Sequence, residues 1–133
     1  MTRRFLLLFL VFLAILVLHY AIITRGLYNR YWWLDIVLHT FGGMWVGGVY
    51  VFLRSSTRLV FWRVFLFALT VGIFWEILEF VFNTPFFGVD EAHFSNPLWV
   101  LDTLSDLFVD VVASLAFVGF IRLNQIRWEK THA

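Results

Sequence analysis

Three aspartates recur at four-residue intervals in the last third of the chain, at Asp102, Asp106 and Asp110. Residues four apart lie on the same face of an α-helix, so these acids would form one stripe. The residues around the stripe are mostly apolar, and the apolar run continues to Ile121. Carboxylates bind divalent cations and carry protons, and ionisable groups inside a membrane helix are usually functional. The stripe therefore predicts a functional site, although it does not name a reaction.

Two other apolar segments carry polar pairs at helical spacing. Asp35 and His39 are four residues apart, and Glu76 and Glu79 are three apart, so each pair shares one helix face. No Lys or Arg lies within the predicted helices that carry these acids to neutralise them. The predicted metal ligands are Asp35, His39, Glu76, Glu79, Asp102, Asp106 and Asp110.

The composition indicates a membrane protein. The chain is 62% hydrophobic, 21% aromatic and only 14% charged, whereas soluble domains are roughly half apolar and about a quarter charged. The absence of Cys excludes disulfides and thiolate metal sites. The net charge of +1 and the lack of a basic groove-reading motif indicate no nucleic-acid partner.

Four apolar segments are each long enough to cross a hydrocarbon core, which takes about 20 helical residues. They span roughly residues 5–23, 32–53, 64–82 and 98–121. The first is longer than the apolar region of a signal peptide and predicts a retained anchor helix. We therefore predict an all-α fold, a four-transmembrane-helix bundle that forms a single domain over residues 1–133.

The basic residues predict the orientation of the bundle. They concentrate in the N-terminus, the second loop and the C-terminal tail, whereas the first loop has two and the third loop has none. The positive-inside rule then puts both termini in the cytoplasm. The third loop, Asn83 to Pro97, is the longest; it is either a functional lid or an ordinary connection. Its final dipeptide, Asn96-Pro97, predicts the start of the fourth helix.

The predicted site residues fall at three depths when a rise of about 1.5 Å per residue is counted from the outer helix ends. The upper layer, roughly 4–6 Å down, consists of Asp35, Glu79 and Asp102. The second layer, roughly 10 Å down, consists of His39, Glu76 and Asp106. Asp110 lies deepest, at about 16 Å, with no counterpart at that depth. His19, at the end of the first helix, could join the site, although an interfacial histidine is the more common role.

Small residues predict which helices pack closely. Gly43-x-x-x-Gly47 forms a small-residue face on the second helix, and such faces let membrane helices approach one another. Gly72 and the Ala113-Ser114 pair offer small surfaces on the third and fourth helices. Packing of these three helices would bring the polar layers together.

So many acids in one half of a bilayer need compensation, because isolated buried charges are poorly solvated. The carboxyls are protonated, or cations occupy the site. Six carboxylates and one imidazole form a mostly oxygen ligand set that suits Mg²⁺, Mn²⁺, Ca²⁺ or Fe, with Zn²⁺ bound through His39. Two layers about 5 Å apart could hold two metals, which usually lie about 3.5–4 Å apart.

Three functions remain open at this point. The first is a cation-binding membrane protein, either a metal-dependent enzyme or a metal-site scaffold; the second is a proton or cation transporter. The third is a structural or partner-binding protein in which protonated acids hold the helices together. Asp110 extends the polar set toward the midplane, as transport needs, but no ionisable group follows it in the apolar part of its helix. The lipid bilayer is the one predicted partner, and the sequence does not identify a substrate. It leaves open whether the protein forms a homo-oligomer, and it predicts no site for an organic cofactor.

The three polar motifs together resemble a known pattern. They are Asp35-x-x-x-His39-x-x-Gly42-Gly43, Trp75-Glu76-x-x-Glu79 and Asp102-Thr103-x-x-Asp106-x-x-x-Asp110. This combination is similar to that of the YjdF-like inner-membrane proteins and, more loosely, of the VanZ-like proteins. The similarity covers about residues 35–114. It implies a small multi-pass protein of the bacterial cytoplasmic membrane with a poorly defined biochemical role.

Overall fold

The computed structural model of the chain describes residues 2–28, 30–54, 61–86 and 97–132. This part of the chain is helical and contains no strand. Its helices are α1 (Thr2–Thr24), α2 (Trp33–Leu53), α3 (Phe61–Phe86) and α4 (Pro97–His132). Each includes a stretch that is long and apolar enough to cross a membrane. The predicted all-α fold with four membrane-spanning helices is thereby confirmed.

Two helices extend beyond their apolar runs. α3 ends at Phe86, so residues 83–86 are helical although the third loop was predicted to begin at Asn83. α4 begins at Pro97, as predicted, and continues past Ile121 to His132. Hydropathy marks only the membrane crossing, whereas the helix continues because the following Arg, Leu, Gln and Glu residues are good helix formers. The rest of the third loop, residues 87–96, and residues 55–60 of the second loop lie outside the described residues.

α1 ends in a glycine cap that fixes the first turn. Gly26 adopts a φ of 62°, which residues with a side chain rarely adopt. The Leu27 N–H donates to the Ile22 carbonyl at 3.0 Å, and the Gly26 N–H donates to the Ile23 carbonyl at 2.9 Å. These two bonds form a Schellman motif, which satisfies the last carbonyls of the helix. The chain therefore reverses direction at once, and the short connection that carries Tyr28 lies over the end of α1.

Successive helices run antiparallel, so α2 and α4 are parallel to each other. α2 packs most extensively on α4, α3 packs on α4 and α2, and α1 packs along α2. We call the end at which α1 and α3 finish the site end, and the opposite end the far end. The start of α1 and the end of α4 both lie at the far end. α1 lies on the outside of the bundle, and most of its side chains are exposed.

Glycines bring α2 into close contact with α4. A Cβ atom on Gly43 would lie 2.9 Å from the Asp110 Cα and 3.0 Å from the Ala113 Cβ. A Cβ atom on Gly47 would lie 2.8 Å from the Ser114 carbonyl oxygen. Only glycine permits these approaches without a shift of the backbone. The Gly43–Gly47 face therefore packs on the Ala113-Ser114 pair, so the small-residue face of α2 meets α4.

Replacing Gly43 with alanine is expected to destabilise the bundle, because the new methyl group meets the α4 backbone and the helices must separate. Overpacking of this kind costs roughly 1–3 kcal/mol. Thermal unfolding of the detergent-purified protein measures the change. Gly119→Ala is the matched control, because a Cβ atom there meets nothing within 4 Å. Equal loss of stability in both variants would contradict the tight α2–α4 contact.

Apolar packing fills the bundle below the site end. One buried cluster consists of Val46, Ala68 and Val111. A second consists of Tyr50, Val64 and Val118, closer to the far end. These clusters bring α2, α3 and α4 together and separate the polar site end from the far end of the bundle.

Candidate cation site

His39 on α2 is the centre of the polar residues, and it is only 5% exposed. Its Nδ1 atom lies 3.4 Å from Oδ1 of Asp110. Its Nε2 atom lies 3.8 Å from Oδ1 of Asp35 and 3.9 Å from Oδ2 of Asp106. Asp106 and Asp110 are also buried, at 5% and 8% exposure. One imidazole therefore faces three carboxylates, one on its own helix and two on α4.

The helix contact described above positions Asp110 beside His39. Gly43 packs on the Asp110 backbone, and His39 is one turn away on the same helix. The Asp110 carboxylate occupies space that glycines leave free: a Cβ atom would lie 3.8 Å from Oδ1 at Gly42 and 3.1 Å from Oδ2 at Gly72. The same residues that allow close packing thus make room for a buried carboxylate.

α3 adds two further carboxylates on the other side of His39. Ligand atoms of His39, Glu76 and Glu79 all lie within 4.8 Å of one another, as do those of Asp35, His39 and Asp106. Glu76 forms a side-chain hydrogen bond with Thr103 of α4. Its Oε1 atom is buried and has no hydrogen-bond partner among the described residues. One carboxylate oxygen at the centre of the bundle is therefore available to a ligand.

His19 connects α1 to this group of residues. Its Nε2 atom lies 3.1 Å from Oε1 of Glu79, and its ring meets Trp75 edge-on at 5.3 Å between centroids. The Tyr28 hydroxyl lies 3.0 Å from Nδ1 of His19. Burial raises the pKa of Tyr28, with a smaller contribution from nearby carboxylates. Both contacts fit one tautomer of His19, in which Nδ1 accepts from the Tyr28 hydroxyl and the Nε2–H donates to Glu79.

Six of the seven predicted residues come together, and we call them the carboxylate–histidine cluster: Asp35, His39, Glu76, Glu79, Asp106 and Asp110. Asp102 is different, because its side chain is exposed. It still lies close enough to Asp35 and Asp106 for their charges to interact. Asp102 therefore lies at the mouth of the cluster and belongs to neither ligand group.

Two features of the site differ from the sequence-based interpretation. Asp110, which was expected to have no counterpart by depth, makes the shortest contact with His39. The reason is that the glycine contact sets the level of α2 against α4, so His39 lies between Asp106 and Asp110. His19, for which an interfacial role was expected, contacts Glu79 directly. Its position at the outer end of α1, level with Glu79, was the signal that pointed to it.

The arrangement offers oxygen donors and an imidazole nitrogen in a small buried volume. Such donors bind divalent cations, and a histidine that donates one ring N–H to a carboxylate presents its other nitrogen in a fixed direction. The described part of α2 contains no Lys or Arg, and neither do α3 from Val64 to Phe86 or α4 from Pro97 to Ile121. Within these segments only His39 can carry a positive charge, so further positive charge at the cluster comes from protons, from a bound cation or from residues outside these segments, such as His19.

A comparison with known protein families agrees with this membrane fold. Residues 1–126 match the family described as "Predicted membrane protein (DUF2238)". No curated protein and no solved structure matches the chain. Since the match covers nearly all of the sequence, the chain belongs to the DUF2238 family of predicted membrane proteins.

Proposed function

We propose that the protein binds a divalent cation at the carboxylate–histidine cluster. The observation that carries this proposal is the surroundings of His39, a buried imidazole with carboxylates facing both of its ring nitrogens. A histidine in a purely structural network needs one or two hydrogen-bond partners. His39 instead belongs to both groups of close ligand atoms.

The two nitrogens of His39 have different roles in this proposal. Asp110 is the nearer carboxylate and accepts the Nδ1–H, which leaves the Nε2 lone pair free. The distances from Nε2 to Asp35 and Asp106, 3.8 and 3.9 Å, are too long for hydrogen bonds. They suit atoms that share one cation at about 2.0–2.2 Å each. His39, Asp35 and Asp106 are thus the proposed ligands, and Asp110 is a positioning residue.

Glu76 and Glu79 complete the proposed site from α3. The Oε1 atom of Glu76 is buried and has no hydrogen-bond partner among the described residues. A bound cation would supply the missing interaction for this oxygen. One nitrogen with several carboxylate oxygens favours Mn²⁺, Fe²⁺ or Zn²⁺ over Mg²⁺ and Ca²⁺, which prefer oxygen alone. A metal-dependent reaction on a membrane substrate is the activity that such a site would serve.

The geometry supports a cation site better than a transport path. The apolar clusters around Val46 and Val64 close the described bundle below Asp110. A path for protons or ions would need polar groups or water there, because unsolvated charge is very unfavourable in such surroundings. Beyond Asp110 the described residues bury the hydroxyl-bearing side chains of Ser114 and Tyr50, but no acidic or basic side chain.

The location of the protein is part of this proposal. The chain is a membrane protein, and the distribution of its basic residues favours cytoplasmic termini. The carboxylate–histidine cluster would then lie in the outer half of the bilayer. The resemblance to YjdF-like and VanZ-like proteins supports the bacterial cytoplasmic membrane. A homo-oligomer is compatible with the exposed faces of all four helices.

Metal analysis of the purified protein tests the proposal directly. We expect bound divalent metal after purification without chelator, loss of thermal stability after chelation, and recovery when the metal is returned. A ligand at 100 times its dissociation constant stabilises by about 2.7 kcal/mol. Titrations with Mn²⁺, Zn²⁺, Mg²⁺ and Ca²⁺ identify the preferred ion. Metal-free protein that none of these ions stabilises would exclude the site.

The role of Asp110 gives a separate prediction. Asp110→Asn is expected to weaken cation binding by about 10–100-fold, the usual effect of losing the carboxylate that orients a ligand histidine. A loss as large as that caused by removing His39 would make Asp110 a ligand instead. Unchanged affinity would show that it has neither role. Calorimetric titration of the reconstituted protein measures all three outcomes.

A further inference from the structure

A cavity of about 260 Å³ lies between α1, α2 and α3, directly beside the carboxylate–histidine cluster. His19, His39 and Asp110 form its polar side. Its remaining walls are almost entirely apolar, and they include Ile15, Val71, Phe74 and Leu78. An apolar cavity of about 150 Å³ is large enough to hold benzene. The cavity therefore has room for a larger apolar group with a polar end.

The cavity opens toward lipid. Phe74, at its edge, is 62% exposed and lies within the membrane-spanning stretch of α3. Ile15 lies near the middle of the membrane-spanning stretch of α1. At this depth the surrounding medium is hydrocarbon, so a group that enters between α1 and α3 comes from the bilayer.

The packing of the helices leaves this entrance between α1 and α3. α1 packs along α2, and His19 ties it to α3 at the site end through Glu79 and Trp75. Nearer the far end, the Trp45 indole donates to the Leu8 carbonyl at 2.8 Å and stacks with Phe12, which holds α1 to α2. The cavity lies between these two attachments.

We infer that this cavity binds the hydrocarbon chain of a membrane lipid, with the polar head group of that lipid at the carboxylate–histidine cluster. The position of the head group rests on the proposed cation site, whereas the binding of the chain does not. A cleft with apolar walls and a few convergent polar groups is the usual form of a site for an amphiphile. The substrate class of the site is then a membrane lipid.

Photo-crosslinking tests the inference with the full chain in vesicles of phosphatidylethanolamine and phosphatidylglycerol. One arm contains phosphatidylglycerol with a diazirine in its acyl chain, and the other contains a polyprenyl phosphate with a diazirine in its prenyl chain. Mass spectrometry of the irradiated native protein maps the labelled residues. We expect labelling at Ile15, Val71 and Leu78 several times stronger than at exposed residues of α1 outside the cavity. The arm that labels them identifies the source of the chain.

A pair of tryptophan variants on α1 provides the control. Ile15→Trp fills the cavity and is expected to remove most of the labelling of Val71 and Leu78 while leaving cation binding unchanged. Val17→Trp adds the same side chain at a position that is 67% exposed and does not line the cavity, so labelling should persist. Uniform labelling of cavity and lipid-facing residues of the native protein in both arms would overturn the inference.

The two proposals fail in different ways in this experiment. Protein that binds a cation but shows no selective labelling overturns the lipid inference alone. Selective labelling of protein that binds no cation leaves the chain site standing, and it overturns the cation site and the head-group position together. Because the mapping uses the native chain, neither result depends on the folding of a variant.

Discussion

Replacing His39 with alanine is expected to abolish cation binding. His39 belongs to both groups of close ligand atoms and supplies the nitrogen donor of the proposed site. The loss should therefore exceed the about 10–100-fold effect of removing an outer-shell partner. The metal-free protein should also become less stable, because three carboxylates lose the imidazole that they face. Removing one partner of a buried pair costs up to about 3–5 kcal/mol.

His19→Ala is the matched control for this variant. It removes the same side chain from the same end of the bundle, but His19 lies in neither group of ligand atoms. Because His19 contacts the site only through Glu79, we expect cation affinity to fall by no more than about 10–100-fold, the effect of losing an outer-shell partner. Stability should fall by about 0.5–1.5 kcal/mol as the bond to Glu79 is lost. Calorimetric titration and thermal unfolding in chelator separate the two effects. Native cation affinity in the His39 variant would contradict the proposed site.

The sequence predicts which helix faces are polar because that information is local. The spacing of Asp106 and Asp110, of Asp35 and His39, and of Glu76 and Glu79 depends only on helical geometry. Membrane helices must satisfy their own backbone hydrogen bonds, so a long apolar segment by itself predicts a helix. The six residues that come together were all found in this way.

For Asp102, helical spacing alone does not predict whether the side chain faces the site. A spacing of four residues turns a helix by about 400°, so each step rotates the side chain about 40° around the axis. Asp102 is consequently turned about 80° from Asp110, even though the three aspartates look equivalent in the sequence. That rotation, at the open site end, leaves Asp102 exposed while Asp106 and Asp110 face His39.

The sequence does not predict how far one helix is shifted along the bundle axis relative to its neighbour. Depths counted from helix ends assume that all helices begin at the same height. The actual offset is set where Gly43 meets the backbone of Asp110, and a small-residue motif does not name its partner. The same limit applies to His19, because the sequence does not say which helix α1 packs against. Such pairings depend on tertiary contacts between distant segments.

Asp106→Asn and Asp102→Asn form the most discriminating pair of variants. Both remove one charge from the same stripe of α4 with almost no change in size. Asp106 is 5% exposed and lies near Nε2 of His39, whereas Asp102 is exposed. We expect Asp106→Asn to lose cation binding by more than about 100-fold, because a proposed ligand is replaced by a weak donor. Asp102→Asn should change affinity by less than about fivefold, since exposed charge interactions contribute about 0.2–1 kcal/mol.

This pair also separates cation binding from a purely structural role of the acids. An asparagine can hydrogen-bond in place of a protonated aspartic acid, so Asp106→Asn should fold normally if the acids only hold helices together. Cation binding instead needs the charge, which the amide lacks. Equal cation affinity in the two variants, with native thermal stability in chelator, would favour the structural role. Loss of cation binding in Asp106→Asn but not in Asp102→Asn would show that the carboxylate–histidine cluster needs the buried negative charge on α4 to bind its cation.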